Sequence, residues 1–211
     1  ARLLGKDCRK LKIITCHLGN GASITAIQNG RSIDTSMGFT PVDGLIMGTR
    51  TGEIDAGVLI YIADKEHLNV TGVNNLINKK SGVAGISGLS SDMRDLELAA
   101  AEGNEKALLA LNMYAYKVRK FIGSYYAVLN GLDLLVFTGG VGENDHKMRA
   151  MICSDMEALG IDFDRQANAG VKGQDKIISK EGSKATVMTI TTDEELVIAM
   201  DTRYIVEHHT V

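Results

Sequence analysis

The dipeptide Asn29-Gly30 lies between two stretches in which apolar and polar residues alternate, Ser23 to Gln28 and Arg31 to Ser36. Asn-Gly supplies the two positive-φ positions of a two-residue hairpin turn, so this spacing predicts an antiparallel strand pair. A third run, Leu11 to Cys16, is apolar and rich in Ile, and the segment His17-Leu18-Gly19-Asn20-Gly21 separates it from the pair. Three antiparallel strands in succession are therefore expected at the start of the chain. In the third, Ile33 is expected opposite in phase to Asp34.

After these strands the apolar period changes from two to between three and four. Gly38 to Gly52 reads as a loop and contains the only proline, Pro41. Ile54 to Leu68 and Thr71 to Lys79 have helical spacing. Ser81 to Ser91 is rich in Gly and Ser and reads as an irregular loop. Ser90-Ser91-Asp92 opens a further helix toward Glu97 and Leu98. From Asn104 to Leu129 the residues Leu108, Leu111, Ala115, Val118, Ile122 and Tyr125 predict one long helix, ended by Asn130-Gly131. Leu132 to Thr138 is a short buried-type strand, Gly139 to Glu143 a glycine turn, and Asp145 to Leu159 a helix stopped at Gly160. Gly170 to Gly182 reads as surface loop and Ala185 to Ile190 as strand. Thr192 to His208 reads as a last helix with a Thr192/Glu195 capping box. The order β-β-β, helical insertion, α-β-α-β-α predicts an α/β fold: a mixed five-stranded sheet covered by helices.

Composition restricts function more than it defines it. The 211 residues suit one domain, or one domain with an insertion. A formal net charge of −3 offers no basic surface for nucleic acid or an anionic membrane, and no apolar run approaches a membrane span. Cys8, Cys16 and Cys153 form neither a disulfide framework nor a zinc pair, and read as reduced thiols. His17 and His67 have no metal-spaced partner, and the His208-His209 pair suits a helix C-terminus. The chain opens on Ala1 in what reads as the end of a helix, as a piece of a longer chain would.

Glycines recur where elements meet. A glycine turn that leads into a helix presents free N–H groups and the positive end of the helix dipole to an anion. Gly139-Gly140-Val141-Gly142-Glu143-Asn144, between a buried strand and a helix, fits that description as well as it fits a plain turn. It is neither a P-loop nor a dinucleotide fingerprint. His17 to Gly21 by itself reads as a tight hairpin rather than a ligand loop. Arg50, in Met47-Gly48-Thr49-Arg50-Thr51-Gly52-Glu53-Ile54-Asp55, has the planar fork that can hold two phosphoryl oxygens, although alone it reads as a solvated loop arginine. Asp193, Glu194 and Glu195 read first as partners of a helix dipole; a magnesium ligand is the sharper alternative.

The blocks HLGNGASI, PVDGLIMGTRTGEID, SGVAGISGLSSDMRD, FTGGVGEN and ITTDEELVIA resemble, in order and spacing, the second half of the acetate and propionate kinases. The resemblance implies the actin/Hsp70/sugar-kinase-like (ribonuclease H-like) fold. The chain would then be a C-terminal nucleotide-binding domain over residues 1–211, with a helical insertion at about 53–103 and an N-terminal domain elsewhere. It implies reversible transfer of the γ-phosphate of ATP to acetate, giving acetyl phosphate and ADP, in a cytoplasmic homodimer that pairs through this half. His17, Leu18, Gly19, Asn20 and Gly21 would contact nucleotide phosphates, and Asp92, Met93 and Arg94 the adenosine. Gly140, Val141, Gly142, Glu143 and Asn144 would form a second nucleotide loop. Arg50 would stabilise the transferring phosphoryl group, and Glu194 would help hold Mg2+. Thr51 and Glu53 replace the family's usual Ser and Asp. Thr191 replaces its usual Pro, which is expected to loosen the approach to Glu194. Readings of another class are a non-catalytic nucleotide-binding or dimerisation module, or a sugar kinase, against which the GTRTGEID block speaks.

Overall fold

A six-stranded sheet in the order β3-β2-β1-β4-β6-β5 organises the chain, in a computed structural model that describes residues 1–208. β1 (Lys12–Leu18), β2 (Ala22–Gln28) and β3 (Arg31–Thr35) are consecutive antiparallel strands. Asn29 and Gly30 both take positive φ, 56° and 75°, as the hairpin turn requires. The β2–β3 register shifts between Ala26 and Ile27, and Ile33 has no partner across the pair. It is the extra residue of a bulge rather than the phase partner of Asp34. β3 is exposed throughout and carries Arg31 and Asp34, which suits an edge strand.

β4 (Leu134–Thr138) and β6 (Thr186–Thr189) extend the sheet in parallel with β1, and β4 is buried on both faces from Leu134 to Phe137. The sixth strand, β5 (Lys176–Ile177), lies where only surface loop was expected. Two exposed residues carry no periodic signal, and the buried Val171 and Ile178 on either side anchor the segment.

Burial at steps of three and four along α5 (Glu105–Leu129) turns Ala107, Leu111, Tyr114, Val118, Ile122, Tyr125 and Leu129 into the core formed with the sheet, α3 and α4. Leu108 does not join them and is 48% exposed, because the buried stripe runs through Ala107 and Ala110 instead. α1 (Ala56–Lys65), α2 (Val70–Lys79), α3 (Gly82–Ser87) and α4 (Met93–Ala101) form the helical insertion. α3 and α4 pack on α5. α3 corrects the loop expected at 81–91: Gly82, Val83 and Ser87 are buried, so tertiary burial overrides a composition that favours irregular chain.

Beyond β4 the chain turns at once into α6 (Gly139–Asn144), a short helix where a bare turn was expected. α7 (His146–Ile152) is shorter than the helix predicted to Leu159. Asp155 takes a left-handed φ of 57°, and only a 3-10 turn follows, Glu157–Leu159. α8 (Arg165–Asn168) leads to the β5 hairpin, and α9 (Glu194–His208) ends the described chain. Asp193, not Thr192, caps α9: its Oδ1 accepts the Leu196 N–H at 2.9 Å. The opening segment forms two 3-10 turns, Arg2–Leu4 and Cys8–Lys10, rather than the end of an α-helix. His209 lies outside the described residues.

Candidate functional site

β1 and β4 are parallel neighbours in which His17 pairs with Thr138, so both strands end at the same sheet edge. The turn at Gly19–Gly21 and the start of α6 are therefore brought together by the topology, as ligand loops are in open α/β sheets. A third segment joins them, since the Gly48 N–H donates to the Asn20 carbonyl at 3.0 Å. Between these pieces lies a cleft of about 720 Å³, lined by Gly19, Asn20, Gly48, Asp92, Met93, Arg94, Gly140, Val141 and Asn144 among others.

Arg50 stands at the rim rather than within the lining. Its Nη1 lies 3.5 Å from the point a Cβ on Gly21 would occupy, and donates to the Pro41 carbonyl at 3.1 Å. Five residues of the expected contact set do not line the cleft: Gly21, at the turn beside Arg50, and four held in β1 and α6. Leu18 is fully buried in β1, and His17 lies in the same strand. Gly142 is buried and its carbonyl accepts from Arg149 Nη1 at 2.8 Å. Glu143 turns away from the cleft: its Oε1 accepts from the Gly139 N–H at 2.9 Å and from the Thr192 N–H at 2.9 Å. Glu194 is exposed in the first turn of α9.

The Arg50 loop is braced from behind. Ser81 N–H donates to the Thr49 carbonyl, Val83 N–H to the Met47 carbonyl, and Thr51 N–H to the Ile77 carbonyl, at 3.0, 2.9 and 2.9 Å. Gly82 makes the brace possible. Its φ is +66°, and a Cβ there would sit 2.3 Å from the Met47 carbonyl oxygen. Gly82→Ala is expected to destabilise the fold by at least about 2 kcal/mol, the sum of left-handed strain and a backbone that must retreat. A fall in urea midpoint at constant m-value measures this; an unchanged midpoint refutes the brace.

The sequence did not single out Glu97, Tyr114, Asp145, Lys147 or Lys172, yet all line the cleft. Tyr114 arises from the buried stripe of α5, and its hydroxyl is buried without a hydrogen-bond partner. No local pattern separates it from a core tyrosine. The charged residues are mixed in sign. Asp92 caps α4, and the Arg94 side chain bound to it holds its pKa down to about 2. Asp145 goes the other way: burial first, then the neighbouring Glu97, raise it to about 6, while Lys147 pairs with Glu97 at 3.1 Å.

A carboxyl whose folded pKa exceeds its unfolded value binds its proton more tightly when folded. Its stabilising contribution is complete below the unfolded pKa of about 3.8 and is lost as the pH rises through about 6. Asp145→Asn keeps the cap, which accepts from the Met148 N–H at 2.8 Å, without the charge. The variant is expected to gain on the order of 1 kcal/mol at pH 7 and to flatten the stability profile between pH 4 and 6. Thermal unfolding across that range checks it.

With this geometry in place, the acetokinase family model matches residues 1–200. The chain belongs to the acetokinase family. Among acetokinase relatives, the acetate kinase of Bacteroides thetaiotaomicron is 59% identical over 191 residues, which are 90% of this chain and 48% of that protein. The crystal structure of Porphyromonas gingivalis acetate kinase superposes with a TM-score of 0.95 at 53% identity, covering 97% of this chain and 51% of that one. A propionate kinase from Francisella tularensis gives 0.87 at 45% identity, over 95% of this chain and 50% of that chain. The chain thus spans about half the length of the acetokinase relatives it matches. Among the described residues of this acetokinase chain, no helix is long and apolar enough to cross a membrane.

Proposed function

We propose that this chain is the nucleotide-binding and dimerising half of an ATP:acetate phosphotransferase, working with a second half of the kind its relatives' greater length provides. The observation that carries the reading is convergence. Two glycine-bearing segments from parallel strands and the N-terminus of α4 meet in one cleft with an arginine at its rim. The N–H groups of α6 that follow Gly139, whose own N–H Glu143 takes, suit phosphate, and the pocket at Asp92, Met93 and Arg94 suits the nucleoside.

The acceptor is a carboxylate, already an anion at neutral pH because its pKa lies near the ~4.3 of Glu. One of its oxygens attacks the γ-phosphorus while the bond from that phosphorus to the β–γ bridging oxygen breaks, and ADP leaves with the electron pair. No general base is needed; the difficulty is repulsion between anions. Arg50 supplies positive charge where the transferring group sits, in a step governed by positioning and electrostatics.

Mg2+ fits the donors present. Among the described residues no group of three or more His, Cys, Asp or Glu forms a protein cage. Magnesium in phosphoryl transfer takes one or two carboxylates with phosphates and water, and the exposed Glu194 serves as that carboxylate. Bound there, Mg2+ would neutralise phosphate charge.

Two exposed surfaces support the partners. Along α9, Val197, Ile198, Tyr204, Ile205 and Val206 are each more than half exposed and the helix buries none of its residues, so it suits packing against the second half. Ile60, Tyr61, Val70 and Tyr116, on α1, α2 and α5, suit a homodimer face, which sedimentation of the complete protein tests.

The deciding assay mixes the chain with ATP, Mg2+, acetate and hydroxylamine, with and without a separately made second half. Hydroxamate only in the mixture supports a split enzyme, and faster formation from propionate reassigns the acid. ATP binding without product in either tube favours a non-catalytic module.

A further inference from the structure

Between β6 and α9 the backbone leaves the sheet. The last ladder-like bond is from the Ile190 N–H to the Phe137 carbonyl at 2.9 Å. The next two residues, Thr191 and Thr192, are held in another way, each by a carboxylate that takes both its N–H and its hydroxyl. Asp175 Oδ1 accepts from Thr191 N at 2.8 Å and Thr191 Oγ1 at 2.9 Å. Glu143 Oε1 accepts from Thr192 N at 2.9 Å and Thr192 Oγ1 at 2.8 Å. The same Glu143 oxygen also accepts the Gly139 N–H at 2.9 Å and the Thr138 hydroxyl at 3.3 Å. One oxygen thus gathers the end of β4, the start of α6 and the approach to α9.

This arrangement matters for α9, which follows the junction directly. None of its residues is buried, so the direction in which Glu194 leaves the fold is set at the junction. Charge-assisted bonds to a carboxylate are stronger than neutral ones, and four of them define a position where one would only tether. Glu143 is also poorly suited to touch nucleotide: a second anion facing phosphates would be repelled, and its donors are already supplied by protein.

We propose that Glu143 is a positioning residue which, with Asp175, fixes the Thr191-Thr192 junction and so holds the Glu194 carboxylate in register with the α6 wall of the cleft. The inference rests on the reading of Glu194 as a magnesium ligand. The looser approach expected from a non-proline at 191 is countered by Asp175: a threonine there brings an N–H and a hydroxyl that proline lacks, and both are bound.

The test titrates Mn2+ into the ADP complex of the complete protein and reads bound metal by electron paramagnetic resonance. Glu143→Ala is expected to weaken Mn2+ about tenfold, as loss of an outer-shell orienting group does. ADP affinity in excess chelator should fall less than Mn2+ affinity, since Glu143 Oε1 is bound to the Thr192 junction rather than lining the cleft. Glu143→Gln keeps an accepting oxygen and should recover most of the affinity. Asp175→Ala should weaken Mn2+ in the parent but not in a Thr191→Pro background, where there is nothing for it to hold. If Glu143→Ala fails to fold, Thr192→Val removes only the hydroxyl and should still weaken Mn2+ about threefold. Glu194→Ala serves as the reference. Weak metal in that variant with parent-like metal in the Glu143, Thr192 and Asp175 variants overturns the positioning role alone. Parent-like metal in Glu194→Ala overturns the magnesium assignment itself.

Discussion

Arg50→Ala, made in the complete two-half protein, is expected to lower turnover by roughly 10²–10³ while changing ATP affinity far less, the size of effect seen when one preorganised charge is removed from a transition state. The asymmetry follows from where Arg50 stands. It is outside the cleft lining, at the rim beside Gly21, with its guanidinium steadied by the Pro41 carbonyl and the Met47 sulfur. Both contacts are made by Nη1, and a phosphoryl group would be offered the remaining nitrogens of the fork. On the proposed reading, ground-state nucleotide binding would be spread over the turn at Asn20, the α4 N-terminus and α6, and so would survive the loss. Arg50→Lys is expected to recover little, because a compact ammonium cannot span two oxygens of the transferring group. Steady-state kcat with ATP and acetate varied separately gives the answer; turnover within threefold of the parent would remove Arg50 from the reaction.

Much of this site was legible because its parts are backbone devices with strong local signatures. The hairpin at Asn29-Gly30, the turn at Gly19–Gly21 and the strand-to-helix passage at Gly139 depend on positive φ or on backbone N–H groups, and glycine marks them in any sequence. That the two glycine segments share one edge was also open to reasoning, since β1 and β4 are each followed at their C-terminal ends by a turn. Side-chain partnerships were not legible. Glu143 sits inside a glycine-rich block that invites a phosphate role, but its donors come from Thr192, forty-nine positions away. Arg149 reads as an ordinary helix-surface arginine until Asn168 and Val171 are folded over it. Tyr114 lies on the core-facing stripe of α5 like its neighbours. Helices α3 and α6 escaped because the short glycine-bearing segments GVAGIS and GGVGEN favour a loop locally, and only the carbonyls of Met47 and Gly48, or the end of β4, make a helix of them.

The largest stability effect is expected at Arg149, the only fully buried arginine among the described residues. Burial alone lowers its pKa by penalising the charge. What offsets that penalty is an acceptor for each of its three nitrogens: Asn168 Oδ1 at 2.8 Å, the Gly142 carbonyl at 2.8 Å and the Val171 carbonyl at 2.9 Å. The guanidinium thereby fastens α6 to α7, α8 and the segment beyond it from beneath the cleft wall. Arg149→Leu keeps most of the volume but leaves these acceptors without donors in the interior. The cost should be about 3–5 kcal/mol, because each orphaned group forfeits its desolvation and the three cannot all reach water. For a chain of this length that corresponds to a fall in Tm of roughly 6–20 °C. Arg149→Lys should lose nearly as much, since one ammonium cannot face three acceptors held in a planar fork. Nucleotide affinity should fall with stability, as the N–H groups opening α6 lose their backing. Melting within about 2 °C of the parent for the leucine variant would mean that solvent reaches these carbonyls and that α6 is held by packing alone.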